Sequence, residues 1–445
     1  MKHLQKMKNG HNYPIFFIFP NKSERIVMTK RSNSTLIQIV HPICCGLDVH
    51  KDKISACLIT LNNAGGEHHE IREFSTFTHD LQEMKKWLLD NNCPIIAMES
   101  TGVYWHPVYN TIEDKIEVVL VNARHIKNVP GRKTDICDSK WLAGLLRHGL
   151  VRGSFIPPGN VREWRELSRL RKTYTESLAD YKRRVHKLFI TANIKIDSIV
   201  SDLFGLTGTN LINLLCNNSE LSLEKVQECT KGGLKKKTQE LHKSLNGYFK
   251  DHHRFQLVEM MEIINIFKKM IEQVNTRLES LTREHKDLLE RLDEIPGVDK
   301  KSAQSIIGEV GVTLNEFKTM SAFVSWAGLC PGNNESAGKR KSGRNAVRNH
   351  PFKTILVQVA WAAIKKKGSY YKAKYYKLKS RRGARKAIVA IAHRIAKAIY
   401  SIIKNADTYK DLGEEYLSKP NKQRVLKNLA KKADELGMKL VPCGN

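Results

Sequence analysis

Four carboxylates stand where acidic side chains are either costly or closely paired. Asp48 follows the apolar run ICCGL and precedes a turn, and Glu99 ends the run PIIAM. Asp135 and Asp138 lie at i and i+3 on a helix predicted from KTDICD onward, so both project from one face. An unpaired carboxylate is unfavourable beside apolar sequence. Four of them brought together suit divalent cations, which relieve their repulsion and can clamp a phosphodiester. Each also has a plainer reading alone, since aspartates form turns at strand ends and cap helix starts. His50, Lys51 and Lys133 stand close by, able to contact a substrate phosphate or simply to balance charge. In STGVYWHPVY, Tyr104 and Trp105 are suited to stacking on a base, although residue type favours packing in a core.

A second candidate lies far along the chain, in GLCPGNNESAGKRKSGR, residues 328–344. Ser336 is followed closely by Lys339, Arg340, Lys341 and Arg344. A serine hydroxyl is a weak nucleophile that needs a base, a metal or a desolvated cationic site. The cations supply part of that, since they can hold a phosphate and its developing charge. The surrounding Gly, Pro and Asn are equally those of an ordinary turn, and Ser325 and Ser342 are rival serines. Residue chemistry does not rank the three.

The elements that must position these groups fall into three regions. Residues 43–158 are predicted to be α/β: a strand, turn and strand over ICCGLDVHKDKISACLIT, a third strand at EIREFSTF and a helix at THDLQEMKKWLLDNN. Two buried strands at PIIAMES and IEVVLVN follow, then a helix closed by Gly149. This order suggests a mixed sheet covered by helices. Residues 159–292 are helical and charged, with Met260, Ile264, Phe267, Ile271, Val274, Leu278, Leu281, His285, Leu288 and Leu292 in strict 4,3 spacing. That is a coiled-coil seam, able to pair with VREWRELSRLRKTYTESLADYKRRVHKLFI in one chain or to dimerise. Residues 293–406 form a compact helical domain. It opens on LDEIPGVDKKSAQSIIGEVG, whose Gly297 turn has the helix–hairpin–helix form that grips a DNA backbone, and equally that of an αα-corner. Residues 1–42 read as a basic disordered leader, or as an extension before a true start at Met28, and 407–445 as a charged tail.

Composition narrows the partner. The net charge is +30, and residues 336–406 hold 20 Lys or Arg with no Asp or Glu. So one-sided a block favours docking on phosphates, with nucleic acid the commonest partner and an anionic membrane surface the main rival. No apolar run approaches the length of a membrane span. Nine cysteines without a CxxC pair argue against zinc sites and disulfides and for a reducing, cytoplasmic compartment.

GLDVHKDKISACL, AMESTGVYWHPVY, GRKTDICDSKWLAGLL, IPGVDKKSAQSIIGEVG and AGLCPGNNESAGKRKSGR occur here in the order seen in the transposases of insertion-sequence family one hundred and ten, which includes Piv-like DNA invertases. The chain resembles that family over residues 43–405. The resemblance implies a RuvC-like, RNase H-type domain whose DEDD tetrad, carried over to Asp48, Glu99, Asp135 and Asp138, binds Mg²⁺. It implies a C-terminal transposase domain whose serine, Ser336 by the motif NNESAGK, forms a covalent link to DNA. It also implies a structured non-coding RNA, from the element's own ends, that pairs with donor and target DNA. Strand exchange on two duplexes would fit a homodimer or tetramer. Two other readings are a water-using RNase H-type nuclease without a covalent link, and a non-catalytic nucleic-acid-binding protein. RNAVRNHPFKTILVQVAW departs from the family by lacking the expected Lys-Gly-Asn stretch.

Overall fold

A computed structural model describes residues 38–62, 66–100, 102–122, 138–217, 221–332, 334–336, 339–342, 350–417, 419–439 and 441, with backbone only for 334–336, 339–342 and 419–424. Of the leader read over residues 1–42, residues 1–37, with Met28, fall outside these residues, and only 38–42 are described. The chain divides into two compact units, residues 1–154 and 155–445.

The first unit is built on a five-stranded sheet of order β3-β2-β1-β4-β5. Strands β1 (Cys44–Val49), β2 (Lys53–Leu61) and β3 (Glu67–Ser75) form an antiparallel meander. After α1 (Thr78–Asp90), strand β4 (Ile95–Glu99) joins parallel to β1. After α2 (Trp105–Ile112), β5 (Glu117–Val121) extends the parallel half. Helix α3 (Asp138–Arg147) closes the unit. Period-two alternation sorts the side chains onto two faces. Cys44, Cys57, Ile59, Ala97 and Val121 pack beneath Leu142, Ala143 and Leu146 of α3. On the opposite face, Phe74 lies across from Ile54 and packs on Trp87 of α1, with ring centroids 5.5 Å apart. The exposed edge strand β3 alternates His, Glu and Arg, which discourages pairing with another edge.

The segment just before β1 is tied down. Val40 and His41 N–H groups donate to the Arg147 carbonyl, and the Arg147 guanidinium, 1% exposed, donates to the Pro42 carbonyl at 2.6 Å.

The second unit begins with α4 (Gly159–Thr191). Short helices α5 (Leu206–Cys216), α6 (Leu223–Cys229) and α7 (Thr238–Ser244) follow, and α8 (Asp251–Leu281) returns antiparallel along α4. Arg277 reaches Glu163 at 2.8 Å near one end of the pair, while Phe267 packs between Tyr174 and Tyr181 farther along. The predicted heptad seam therefore pairs within the chain. It also breaks: Thr282 caps α8, and a 3-10 turn, Arg283–His285, redirects the chain into α9 (Lys286–Asp293). Leu288 and Leu292 continue the spacing and join Val274 and Leu278 in one core with the helices that follow, whereas Ile264 belongs to another core with α4–α7. Those are α10 (Lys300–Val310), α11 (Met320–Trp326), α12 (Pro351–Ala363), α13 (Tyr370–Arg382) and α14 (Ala384–Asn405). A two-stranded hairpin, β6 (Asn334–Ser336) and β7 (Lys339–Ser342), stands between α11 and α12, and α15 (Lys419–Glu435) ends the described chain.

Candidate active site

The carboxylates are set by strand register. β1 and β4 pair in parallel as Cys45↔Ile96, Gly46↔Ala97 and Leu47↔Met98. One further step along that register brings Asp48 beside Glu99, on neighbouring strands about 4.8 Å apart. Alternation places both on the face of Gly46 and Ala97, the face that α3 covers. Residues at the same level of a parallel pair share a face, so the two carboxylates emerge side by side where the strands end.

Helix α3 brings a third. It approaches so closely that a Cβ added to Gly46 would fall 2.2 Å from the Ser139 carbonyl oxygen and 2.4 Å from the Ala143 nitrogen. Ser55, which pairs with Asp48 across β1 and β2, also lies with its hydroxyl 3.1 Å from that of Ser139. Asp138 is the exposed first residue of α3, immediately before this contact. Asp48 and Glu99 thus stand side by side at the C-terminal ends of β1 and β4, and Asp138 opens the helix that packs on their face. Carboxylates are the donors a hard divalent cation takes, but among the described residues these three do not bring their ligand atoms within 4.8 Å of one another. Asp135 and Lys133 lie outside the described residues.

His50 extends the group. Its ring, 60% exposed at the β1–β2 turn, donates from Nε2 to Asp48 Oδ2 at 3.2 Å. Lys51 is exposed beside it, and Lys53 pairs with Glu73 at 3.1 Å. Tyr104 and Trp105 separate: Trp105 stacks on His106 with centroids 3.7 Å apart, whereas Tyr104 is exposed.

A different trio, His79, Asp80 and Glu83, offers ligand atoms within 4.8 Å of one another. It sits on the first turns of α1, where Asp80 accepts from the Ser75 hydroxyl and pairs with His79. Those partners, His79 foremost, hold the Asp80 carboxyl below its ordinary range. Helix-start hydrogen bonding accounts for this acid without a metal, and it is not the set that the sequence singles out.

In the second unit, Ser336 is the last residue of β6. Backbone pairing sets it opposite Lys339, the first residue of β7, and Glu335 opposite Arg340. Lys341 lies within β7, Ser342 pairs with Asn334, and Arg344 lies outside the described residues. The rival Ser325 is exposed on α11. Both stems of the hairpin leave one aromatic cluster, because Trp326 on one side packs on His350 and Phe352 on the other, with centroids 4.5 and 5.7 Å away.

Gly297 has a packing duty. At φ +86° it lies where a Cβ would meet the Val359 carbonyl of α12 at 2.4 Å. The following helix start is capped by Asp299, which accepts from the Ser302 N–H at 2.9 Å. α4 is locked to the same helix, as Arg169 grips Glu309 with two hydrogen bonds of 2.8 and 2.9 Å.

Sequence reasoning missed the close seat of α3 on Gly46. The signal was present, since Gly46 is the residue without a side chain in the run ICCGL. Among the described residues the seven cysteines are free, and burial pushes the Cys44 and Cys93 thiols up to about 12. No helix of the described chain is long and apolar enough to cross a membrane.

No curated protein matches the chain. Two family models do. Residues 45–193 match a transposase model of the DEDD type, and residues 289–377 match the transposase IS116/IS110/IS902 family. The first spans Asp48, Glu99 and Asp138, and the five-stranded mixed sheet within it is compatible with an RNase H-like domain. The second spans the serine-bearing hairpin and the helices around it. Lying in this order and together covering more than half of the sequence, they identify an enzyme that moves DNA: the chain belongs to the IS110 family of insertion-sequence transposases.

Proposed function

We propose that the protein cuts and rejoins DNA of its own element through a covalent serine link, with carboxylate-held Mg²⁺ assisting. The observation that carries this reading is the register that sets Asp48 beside Glu99 at one sheet end, within a DEDD-type transposase match. Asp48, Glu99, Asp135 and Asp138 would hold the metal. When bound, the metal neutralises charge on the phosphate and stabilises the attacking and leaving oxygens.

The chain's own groups do the rest. Ser336 Oγ gives up its proton and forms a bond to phosphorus as the bond to a deoxyribose oxygen breaks; that oxygen leaves with a proton. Lys339, Arg340, Lys341 and Arg344 hold the phosphate and its developing charge. Lys133 and the Gly297 turn add contacts to the DNA backbone. Rejoining reverses the step, so no nucleotide cofactor is required. Sequence choice rests with a structured RNA that pairs with donor and target, and the basic chain accommodates both polyanions. Exchange between two duplexes calls for a homodimer or tetramer. Because α4 already occupies the α8 seam, that assembly uses another surface.

The test is a search for a protein–DNA adduct. Full-length protein, Mg²⁺, RNA transcribed from the element's ends and radiolabelled donor DNA are resolved on a denaturing gel beside Ser336→Ala. The expected result is label shifted onto the wild-type protein and absent from the variant. Cleaved DNA without adduct in either lane would replace the serine mechanism by a metal-and-water nuclease.

A further inference from the structure

Beyond Glu99 the chain turns outward and exposes two apolar side chains in succession. Ser100 N–H still donates to the Val121 carbonyl at 2.9 Å, and Gly102 then takes φ +65°, a conformation that disfavours any side chain. Val103 is 68% exposed and Tyr104 45%. Trp105, next along, is satisfied internally, stacked on His106 and edge-on to Tyr109 at 5.8 Å. The Tyr104 ring instead lies back over Gly102, where an added Cβ would sit 3.7 Å from two of its ring carbons. Among the described residues no other ring packs against it. A single exposed apolar residue needs no explanation. A β-branched and an aromatic residue in succession, held outward by a left-handed glycine and four and five residues from Glu99, form a built feature.

The same sheet end carries cations. β2 begins there, so Lys51 and Lys53 stand exposed at it with Asp52 between them, Lys53 paired with Glu73 and the neighbouring His50 ring donating to Asp48. Lys53 pairs with Ser75 at the end of β3, which brings Phe77, 79% exposed, to this end as well. Aromatic faces interleaved with cations are what a single strand of nucleic acid requires: cations track the phosphates and rings stack on the bases.

We propose that Tyr104 stacks on the nucleobase beside the scissile phosphate and holds it out of the duplex while Asp48 and Glu99 serve that phosphate. Val103 fills the space the base vacates, and Gly102 lets the ring fold back toward the strand end. The occupant is the DNA strand being cut. This assignment rests on the recombinase reading above.

Two measurements test it on the full-length protein. The first is photocrosslinking to element-end DNA that carries 5-iododeoxyuridine at one position at a time, using Asp48→Asn so that the DNA stays intact. The expected crosslink maps to Tyr104 and peaks at a single step of the DNA. The second is cleavage of the same DNA by otherwise wild-type protein. Tyr104→Ala should lose about tenfold or more in cleavage, with DNA binding changed less than about twofold, whereas Tyr104→Phe and Tyr104→Trp retain most of it. Replacing the stacked base by an abasic site should slow wild type and leave Tyr104→Ala unaffected, a coupling that a purely structural tyrosine would not produce. Crosslinks that avoid Tyr104, or that form only with uridines of the RNA, would overturn the assignment. Wild-type cleavage matched by Tyr104→Ala would do so while leaving the recombinase reading intact. A Tyr104 crosslink in a protein that never cleaves would keep the stacking site and remove that reading.

Discussion

Gly46 on β1 and Ser139 on α3 meet backbone to backbone, with room for a hydrogen atom and no more. This contact decides where Asp138 stands, one residue before Ser139, relative to Asp48, two residues after Gly46. Gly46→Ala should therefore act on both stability and chemistry. The obstructing atoms are a carbonyl oxygen and an amide nitrogen, which cannot rotate away as a side chain could. Overpacking of this kind costs about 1–3 kcal/mol. The expected outcome is a lower denaturation midpoint together with strand cleavage that falls more than DNA binding. A midpoint equal to wild type would mean that α3 can slide without cost.

Asp48→Asn and Glu99→Gln keep shape and remove charge. Each should reduce strand cleavage by roughly 100-fold or more, the scale on which removal of an electrostatic interaction is felt, while DNA binding stays within a few-fold. Chelation with EDTA should abolish wild-type cleavage reversibly. Because His50 donates to Asp48, His50→Ala is expected to have a smaller effect than either carboxylate change. Full cleavage by Asp48→Asn would take the carboxylate pair out of the mechanism.

Much of this arrangement was legible because it rests on short-range pattern. The apolar runs ICCGL and PIIAM announced buried strands, and the register between them sets the acids that end them side by side. Three features were hidden. The short helix α2 was obscured by Pro107, which is tolerated because it falls in the first turn, where its missing N–H has no intrahelical partner. The β6–β7 hairpin was read as a turn, since Asn, Glu, Ser, Lys and Arg give no apolar alternation. The seam from Met260 to Leu292 was regular in sequence, yet its helix breaks at Thr282 and its residues divide between two cores, Ile264 packing with α4–α7 and Val274 onward with α10 and α12. Spacing reports which residues are buried together, and only packing reports against what.

The basic block presents a continuous exposed surface at the end of α13 and the start of α14. Lys377, Lys379, Arg381, Arg382, Arg385 and Lys386 are all exposed there, around Gly383. If they dock on phosphates, replacing Lys379, Arg381 and Arg382 with Gln should weaken binding to any DNA sequence. It should also flatten the plot of log affinity against log salt by about 0.9 for each phosphate no longer neutralised. Filter binding across a range of salt concentrations measures this. A lower affinity with an unchanged slope would mean that the three cations support the fold instead.

Stability should fall as the pH drops from about 7.5 to 5.5, and two histidines set the sign. His350, where the chain enters α12 after the hairpin, is held below the ordinary imidazole range first by burial. Arg165, Arg169 and Lys353 push the same way, and Glu309 opposes them. Among the described residues its buried Nδ1 has no hydrogen-bond partner, and its ring packs on Trp326. His393 on α14 is likewise lowered by burial, helped by Lys397 and Arg394. A histidine with a depressed pKa is neutral in the fold where the unfolded chain would take up a proton. Its contribution is complete above the unfolded value near 6.5 and is lost as pH falls through the folded value. His79, raised by its hydrogen bond to Asp80, opposes this trend, but it is fully exposed and solvent screens it. His350→Phe keeps a ring against Trp326 and removes the titrating group, so thermal melts of this variant should show a shallower decline. A slope as steep as wild type would assign the pH dependence elsewhere and leave His350 as packing alone.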